Sequence, residues 1–239
     1  MRFKFIRNED NFVMLAATGD YKINILELHV EFRKIGVDAA IMKRELAAFE
    51  SGQPYIMPFL NSKFFTKTIS AGVSSYMTDI VRGKLPQQLL VFFVRHDAYN
   101  SDPTRNPYVF ENLDVTNLAF KLNAETVPLR PYRPNFKATP ADCYREYQHL
   151  MNTIGIKRLN SGVGITLKDF VKHCCIFTLD NTPEQCNNNH VHIGTSGSIA
   201  LEMTFGTATT TNYQMLAYGI YPSIAKIENT LEVKIADAV

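Results

Sequence analysis

Polar and apolar residues alternate with a period of two along much of the chain, as in strands that bury one face. The longest alternating run covers residues 21–35, and its phase shifts between Ile25 and Leu26, which predicts a β-bulge there. Residues 89–94 are apolar throughout, which is typical of a strand covered on both faces. The other predicted strands cover residues 2–7, 12–17, 55–59, 62–69, 113–122, 174–179, 198–205, 214–221 and 231–235.

Helical signals are confined to a few segments between these runs. Asp38 is a suitable N-cap for a helix over residues 38–49. Thr139 can cap a second helix over residues 140–154, with a proline in its first turn. A shorter helical turn is predicted to begin at Thr166. Two main helices are therefore expected in the connections between strands, where they would cover sheet edges or fill corners.

Roughly nine or ten short strands with long loops predict an all-β fold. A parallel α/β sheet is not expected, because the chain lacks a long alternation of strands and helices. We expect a jelly-roll antiparallel β-sandwich. The absence of repeats and linkers predicts a single domain over residues 1–239, and 46% hydrophobic and 20% charged residues predict a large core.

Three stretches are expected to lie outside regular structure. Residues 96–112 and 181–197 are polar and predict long loops. Residues 127–136 carry three prolines and predict an irregular connection between elements. Loops of this kind carry contacts without disturbing the core, so we expect these stretches to meet neighbouring molecules.

Charge and cysteine usage limit the partners and the compartment. The net charge is only +2, without a basic stripe, so we expect no specific nucleic-acid contact. No apolar run has the length of a membrane span or the form of a signal peptide. The cysteines are too few for a disulfide scaffold, and adjacent cysteines rarely pair, so folding in a reducing intracellular compartment is expected. They are Cys143, Cys174, Cys175 and Cys186.

Cys186, His190 and His192 form the one cluster with metal-like spacing, C-x₃-H-x-H. Thiolate and imidazole are zinc ligands, but a structural zinc site requires four of them, and the sequence supplies no second cysteine pair nearby. A polar loop at one end of a sandwich is therefore the favoured interpretation, and no metal site is predicted.

Two other motifs also favour a structural interpretation. Gly162 and Gly164 precede the helical turn at Thr166, but the further glycine and the lysine of a phosphate-binding loop are missing. Arg95-His96-Asp97 has the composition of an acid–base trio, yet adjacent strand residues point to opposite faces. No G-x-S-x-G nucleophile motif is present. We expect no catalytic or cofactor-binding residues, no cofactor and no enzymatic activity.

Five groups of segments carry a family resemblance, and they follow one another in a defined order. The second contains Phe92-Phe93-Val94-Arg95-His96-Asp97, and the third Val127-Pro128-Leu129-Arg130-Pro131-Tyr132-Arg133-Pro134. The full set comprises residues 5–14 with 20–22, 92–100 with 106–110, 127–136, 164–170 with 177–183, and 198–205. In this order they cover most of the chain, which resembles the major capsid proteins of Maverick/Polinton elements and adintoviruses.

The resemblance implies a structural role in a virion capsid. It implies proteins with two successive jelly rolls that trimerise into pseudo-hexagonal capsomers and tile an icosahedral shell. The present chain is similar to the second, C-terminal jelly roll of such a protein. The implied partners are further copies of the chain in a trimer, neighbouring capsomers, and other capsid proteins such as a penton.

Two alternatives share the architecture. Jelly-roll modules also bind carbohydrates or receptors, and cupin-type sandwiches hold a catalytic metal. A lectin would gather aromatic residues with carboxylate or calcium ligands in one loop cluster, whereas the six histidines here are too scattered for a cupin site. The capsid hypothesis predicts that Arg130 and Arg133 contact a neighbouring subunit.

Overall fold

The computed structural model describes residues 4–19, 21–139, 141–155, 163–182, 194–230 and 232–237. The strands are β1 (Tyr55–Ile69), β2 (Ser75–Lys84), β3 (Gln88–Arg95), β4 (Val115–Leu122), β5 (Glu125–Tyr132), β6 (Ile176–Asp180), β7 (Ser196–Phe205), β8 (Tyr213–Ile227) and β9 (Val233–Asp237). The helices are α1 (Asp10–Val13), α2 (Ala39–Glu50), α3 (His96–Tyr99), α4 (Tyr144–Thr153) and α5 (Leu167–Lys172).

The strands form two antiparallel sheets with a nested order. The first sheet runs β1-β8-β3-β6, with β9 beside the end of β8, and the second runs β2-β7-β4-β5. The first strand thus pairs with the eighth, the second with the seventh, the third with the sixth and the fourth with the fifth. This is one long hairpin wrapped into two facing sheets, which defines a jelly roll. The predicted fold class is confirmed.

The core lies between the two sheets and is made by alternate residues of the central strands. Leu89, Val91 and Phe93 of β3 are fully buried, because the odd-numbered side chains of this strand point inward. In the second sheet, Phe120 of β4 and Leu201 of β7 are paired on neighbouring strands. Both are fully buried and face the first sheet across the core. The alternation read from the sequence therefore corresponds to the inner and outer faces of the sandwich.

Two strands were missed in the sequence. Strand β2 is hidden by a change of register between Asp79 and Val81, which buries two consecutive residues, Ile80 and Val81, and breaks the period of two. Strand β5 falls in the stretch predicted to be irregular. It lies at the edge of the second sheet, where prolines are tolerated because one side of the strand needs no partner.

The three N-terminal strand predictions are wrong. Residues 4–9 form no regular structure, residues 10–13 form helix α1, and residues 21–38 contain no strand. Because these residues form no strand, the β-bulge predicted between Ile25 and Leu26 is absent as well. Alternation marks the two faces of a strand, but a strand also needs a hydrogen-bonded neighbour, and the described part of the chain provides none here.

The helices depart from the predictions in position. Helix α2 begins after Asp38, whose carboxylate accepts a hydrogen bond from the Ala40 amide at 2.8 Å, as predicted. However, it precedes β1 and has no buried residue, so it covers no sheet edge. Helix α4 begins at Tyr144 and not near Thr139, because a bridge between Asn135 and Asp142 first holds the backbone out of the helical conformation. It lies between β5 and β6 and packs against β6.

Truncating a side chain in the core should lower the free energy of unfolding much more than truncating one on the surface. Leu201 is fully buried in β7, and Leu201→Ala should lower the free energy of unfolding by about 3 kcal/mol, because it leaves a cavity between the sheets. Met77, which is 67% exposed on β2, is the control, and Met77→Ala should change it by less than about 0.5 kcal/mol. Urea denaturation measures both, and equal costs would contradict the assignment of the core.

Candidate self-association surface

One end of the first sheet projects as a three-stranded ribbon, here called the apolar extension. It comprises residues 55–59 of β1, 223–227 of β8 and 233–237 of β9, which pair side by side. Its exposed apolar residues on one face have relative accessibilities of 37–67%. They are Tyr55, Met57, Phe59, Val233 and Ile235.

This exposed face is a continuation of the core-facing side of the sheet. The register between β1 and β8 is continuous from Tyr55↔Ile227 to Ile69↔Tyr213, so odd-numbered residues of β1 all point the same way. Ile69 at the far end of the strand is fully buried, whereas Tyr55 is 54% exposed. The second sheet therefore covers one end of β1 and leaves the other end open.

The outer edge of β1 is also open. Within the described residues β1 pairs only with β8, so the backbone groups on its other side face no strand. On the outer face of this edge Leu60 and Phe64 are 64% and 63% exposed, and the Phe64 ring lies 4.8 Å from that of Tyr218. A long open edge with apolar side chains is a ready template for another strand.

The predicted contact stretch 127–136 presents a group of arginines. Arg130 and Arg133 are exposed at the end of β5. Arg145 of α4 donates hydrogen bonds to the carbonyl oxygens of Arg130 and Pro131, at 2.7 and 3.1 Å, and lies over the Tyr132 ring. The strand and the helix are thereby tied together, and the two exposed guanidinium groups form a basic patch at the edge of the second sheet.

The Arg95-His96-Asp97 motif forms a turn in which only the first and third side chains meet. Arg95 donates to the Asp97 carboxylate at 3.0 Å, and this hydrogen bond holds the pKa of Asp97 below its usual value. Asp97 also accepts from the Ala98 amide at 2.8 Å. The His96 ring instead contacts the side-chain amide of Asn100. The structure thus brings Arg95 and Asp97 together and leaves His96 outside the pair.

The other motifs singled out in the sequence are only partly visible. Cys186, His190, His192 and Gly162 lie outside the described residues. Gly164 has a φ of +73°, a conformation that favours glycine, and Thr166 caps α5 through reciprocal hydrogen bonds with Asp169. Among the residues that the structure describes, no three His, Cys, Asp or Glu side chains are grouped to hold a metal ion. No helix in this part of the chain is long and apolar enough to cross a membrane.

A buried group of ionisable side chains lies beside α4. Cys143 and Cys175 are fully buried free thiols, and burial raises the pKa of Cys143 to about 11. Glu146 is only 4% exposed, and loss of hydration raises the pKa of its carboxyl group. Cys174 is a partly buried free thiol and is not bonded to its neighbour Cys175. These thiols are protonated at neutral pH, so they are weak nucleophiles.

The comparisons with known proteins give similarities of fold. No protein-family model and no curated protein matches the chain. The Sputnik virophage structure determined by cryo-EM aligns with 78% of this chain and 39% of its own, at 16% identity and a TM-score of 0.44. The mavirus major capsid protein aligns over 82% and 43%, at 7% identity and a TM-score of 0.43.

The PBCV-1 virus capsid structure is similar to the same degree. It aligns over 82% of this chain and 55% of its own, at 8% identity and a TM-score of 0.44. The chain thus spans between 39% and 55% of the length of these proteins. The structural neighbours are viral capsid proteins, and a similarity of this degree assigns no function to the chain.

Sequence reasoning missed the apolar extension as a surface. It predicted strands at residues 55–59 and 231–235, but the open face follows from the length of β8 and from its pairing with both neighbours. One signal was present in the sequence. Residues 55–60 are apolar on both faces of a predicted strand, which is unusual for a strand with one solvated side.

Glu146 should make the stability depend on pH in a defined direction. Its pKa is higher in the folded chain than in the unfolded one, so folding loses stability as the pH rises from the ordinary glutamate value through the raised one. Glu146→Gln removes the charge, so the variant should melt at a higher temperature than the wild type at pH 7.

The difference should narrow at pH 4, where the carboxyl group is mostly protonated in both the folded and the unfolded state. Thermal unfolding followed by circular dichroism at the two pH values measures it. Glu125→Gln, at an exposed position of β5, is the matched control and should show no such dependence. A Glu146→Gln variant that melts at a lower temperature at pH 7 would contradict the burial argument.

Proposed function

We propose that this chain is a structural subunit of a viral-type capsid, which self-associates into capsomers of an icosahedral shell. The observation that carries the proposal is the apolar extension, where the inner face of a rigid sheet continues beyond the sandwich uncovered. Large contiguous apolar surfaces on soluble proteins mark sites of association. The jelly-roll fold and the ordered capsid-like segments in the sequence support the same role.

The domain organisation is part of the proposal. Residues 1–239 correspond to one jelly roll, the C-terminal half of a double jelly-roll capsid protein of the Maverick/Polinton and adintovirus type. Copies assemble as trimers, contact neighbouring capsomers, and meet other capsid proteins such as a penton. The proposed location is the virion capsid, after synthesis in a reducing compartment, and the free thiols at Cys143, Cys174 and Cys175 are compatible with it.

The chain acts by fitting against other protein surfaces and not by catalysis. Its rigid part is the pair of packed sheets, and its contact surfaces are the apolar extension, the open β1 edge and the basic patch at Arg130 and Arg133. Assembly from many modest contacts repeated by symmetry suits these separate surfaces better than one extensive interface would.

The mass of the purified chain in solution tests the proposal directly. Light scattering and electron micrographs should show trimers or larger particles, and a glycan array should show no binding. A strictly monomeric chain at high concentration, or selective binding of one sugar class, would contradict the capsid role and favour a carbohydrate-binding module.

A charge placed on the apolar extension should weaken association. Met57→Lys adds an ammonium group to an apolar face that would be buried between subunits, and should cost about 1–2 kcal/mol per contact. Met77→Lys, at a comparably exposed methionine on the second sheet, is the matched control. Sedimentation velocity measures both variants, and an equal loss of assembly in the two would show that the extension has no special role.

Reversing the charge of the basic patch tests the second contact surface. The double variant Arg130→Glu and Arg133→Glu should reduce assembly while leaving the fold intact, because both side chains are exposed. The pair Lys168→Glu and Lys172→Glu on α5 makes the same change in net charge at another exposed site. Unchanged oligomer mass in the Arg130 and Arg133 variant, with normal folding, would remove this patch from the interface.

A further inference from the structure

Residues 21–35, here called the arm, have the alternating pattern of a strand but form no ladder with a neighbouring strand within the described chain. Leu26, Leu28 and Val30 alternate with polar residues and are 90%, 64% and 44% exposed. The backbone of residues 21–38 belongs to no strand or helix within the described chain. A segment with one apolar side gains its stability by burying that side, and the arm leaves it in solvent.

The chain on either side of the arm joins the domain at opposite ends of the first sheet. Before the arm, the Phe12 ring packs on Tyr108 and the Ala16 amide donates to the Pro103 carbonyl at 2.9 Å, in the loop after β3. After the arm, α2 leads into β1 at Tyr55. The sheet register places the end of β3 beside Tyr213, and Tyr55 beside Ile227 at the other end of β8.

The chain from Ala16 to Tyr55, which contains the arm, therefore runs from one end of the first sheet to the other. Fifteen extended residues reach roughly 50 Å, at about 3.3 Å per residue. Strand β1 also has 15 residues. Strand β1 is therefore long enough to receive most of the arm, and within the described residues neither of them has a strand along its free side.

The charges of the arm match those of β1. Glu27 and Glu31 are four residues apart, and so are Lys63 and Lys67 of β1. An antiparallel pairing that sets Glu27 opposite Lys67 also sets Glu31 opposite Lys63. Opposite charges directly across a strand pair are stabilising.

The same pairing also matches the apolar side chains. It places Val30 beside Phe64 on the outer face of the sheet, where Phe64 is 63% exposed. It also places the arm's last residue, Ile35, opposite Phe59. The arm therefore stops before Pro58, which has no N–H group to offer to a new strand.

We propose that the arm of one copy adds as an antiparallel strand to the open edge of β1 in a second copy. Within the described residues the arm forms no ladder with its own β1, although the chain on either side of it belongs to the same domain. Each copy thus presents both the added strand and the edge that receives it, and a closed ring of copies satisfies both. Backbone hydrogen bonds provide the affinity, and the paired charges set the register. This inference rests on the proposed function in one respect, that copies of the chain associate.

Cross-linking of mixed isotopes tests which copy receives the arm. The full chain is prepared in light and in ¹⁵N-labelled form, mixed, and treated with an amine-reactive cross-linker. Lys34 of the arm lies close to Lys63 in the proposed register, so light–heavy pairs between these residues are expected. Cross-links found only within light or only within heavy chains would show that the arm closes on its own β1, and would overturn the proposal.

A pair of substitutions tests the face of the arm. Leu28→Glu places a charge on the apolar side and should weaken association, measured by sedimentation velocity, by at least about tenfold. Arg33→Glu places a glutamate on the other side of the arm, opposite the polar side chain of Asn61 in this register, and should weaken association much less. Equal loss of association in both variants, or in neither, would overturn the strand addition.

A charge exchange tests the register itself. Lys67→Glu should weaken association, and the double variant Glu27→Lys with Lys67→Glu should restore it. The absence of rescue would contradict this register.

The two proposals fail in different ways. If the wild-type chain forms particles but gives no light–heavy cross-links, the capsid role is supported and the arm plays no part in it. Light–heavy pairs in a chain that stops at dimers would support the arm and contradict the shell.

Discussion

The burial of two apolar sheet faces against each other is the constraint on which the rest of the structure depends. Leu89 and Phe93 of β3, Phe120 of β4 and Leu201 of β7 come from three different strands, and none of them is exposed to solvent. Because the strands pair in nested order, the core is closed by contacts between residues far apart in the chain. The loops and the N-terminal segment are free to vary around this frame, and the proposed contact surfaces all lie at its edges.

Sequence reasoning predicted the class of fold better than its parts. Alternation at residues 198–205 and 214–221 was read correctly, because each of these strands buries one face in the core. It failed at β2, where a bulge buries two adjacent residues, and at β5, whose prolines suggested a loop. The arm gave the strongest strand signal of all and forms no strand. A local pattern of apolar residues indicates which side of a segment avoids water. It does not indicate whether a neighbouring strand is available to pair with that segment.

The candidate surface was harder to predict than the fold, because it depends on how long the strands of one sheet are relative to those of the other. Tyr55 and Val233 are exposed since β1, β8 and β9 continue past the end of the opposing sheet. No local motif encodes that difference. Arg130 and Arg133 could be found from the sequence as an exposed basic pair, but their position beside Arg145 required the packing of α4 on β5.

The prolines of β5 give the two sheets unequal edges. Pro128 and Pro131 remove two backbone donors from the free margin of the second sheet, whereas the stretch of β1 from Phe59 to Ile69 contains no proline. A further strand therefore finds more unpaired backbone donors along β1 than along β5, which directs edge-to-edge contact away from β5.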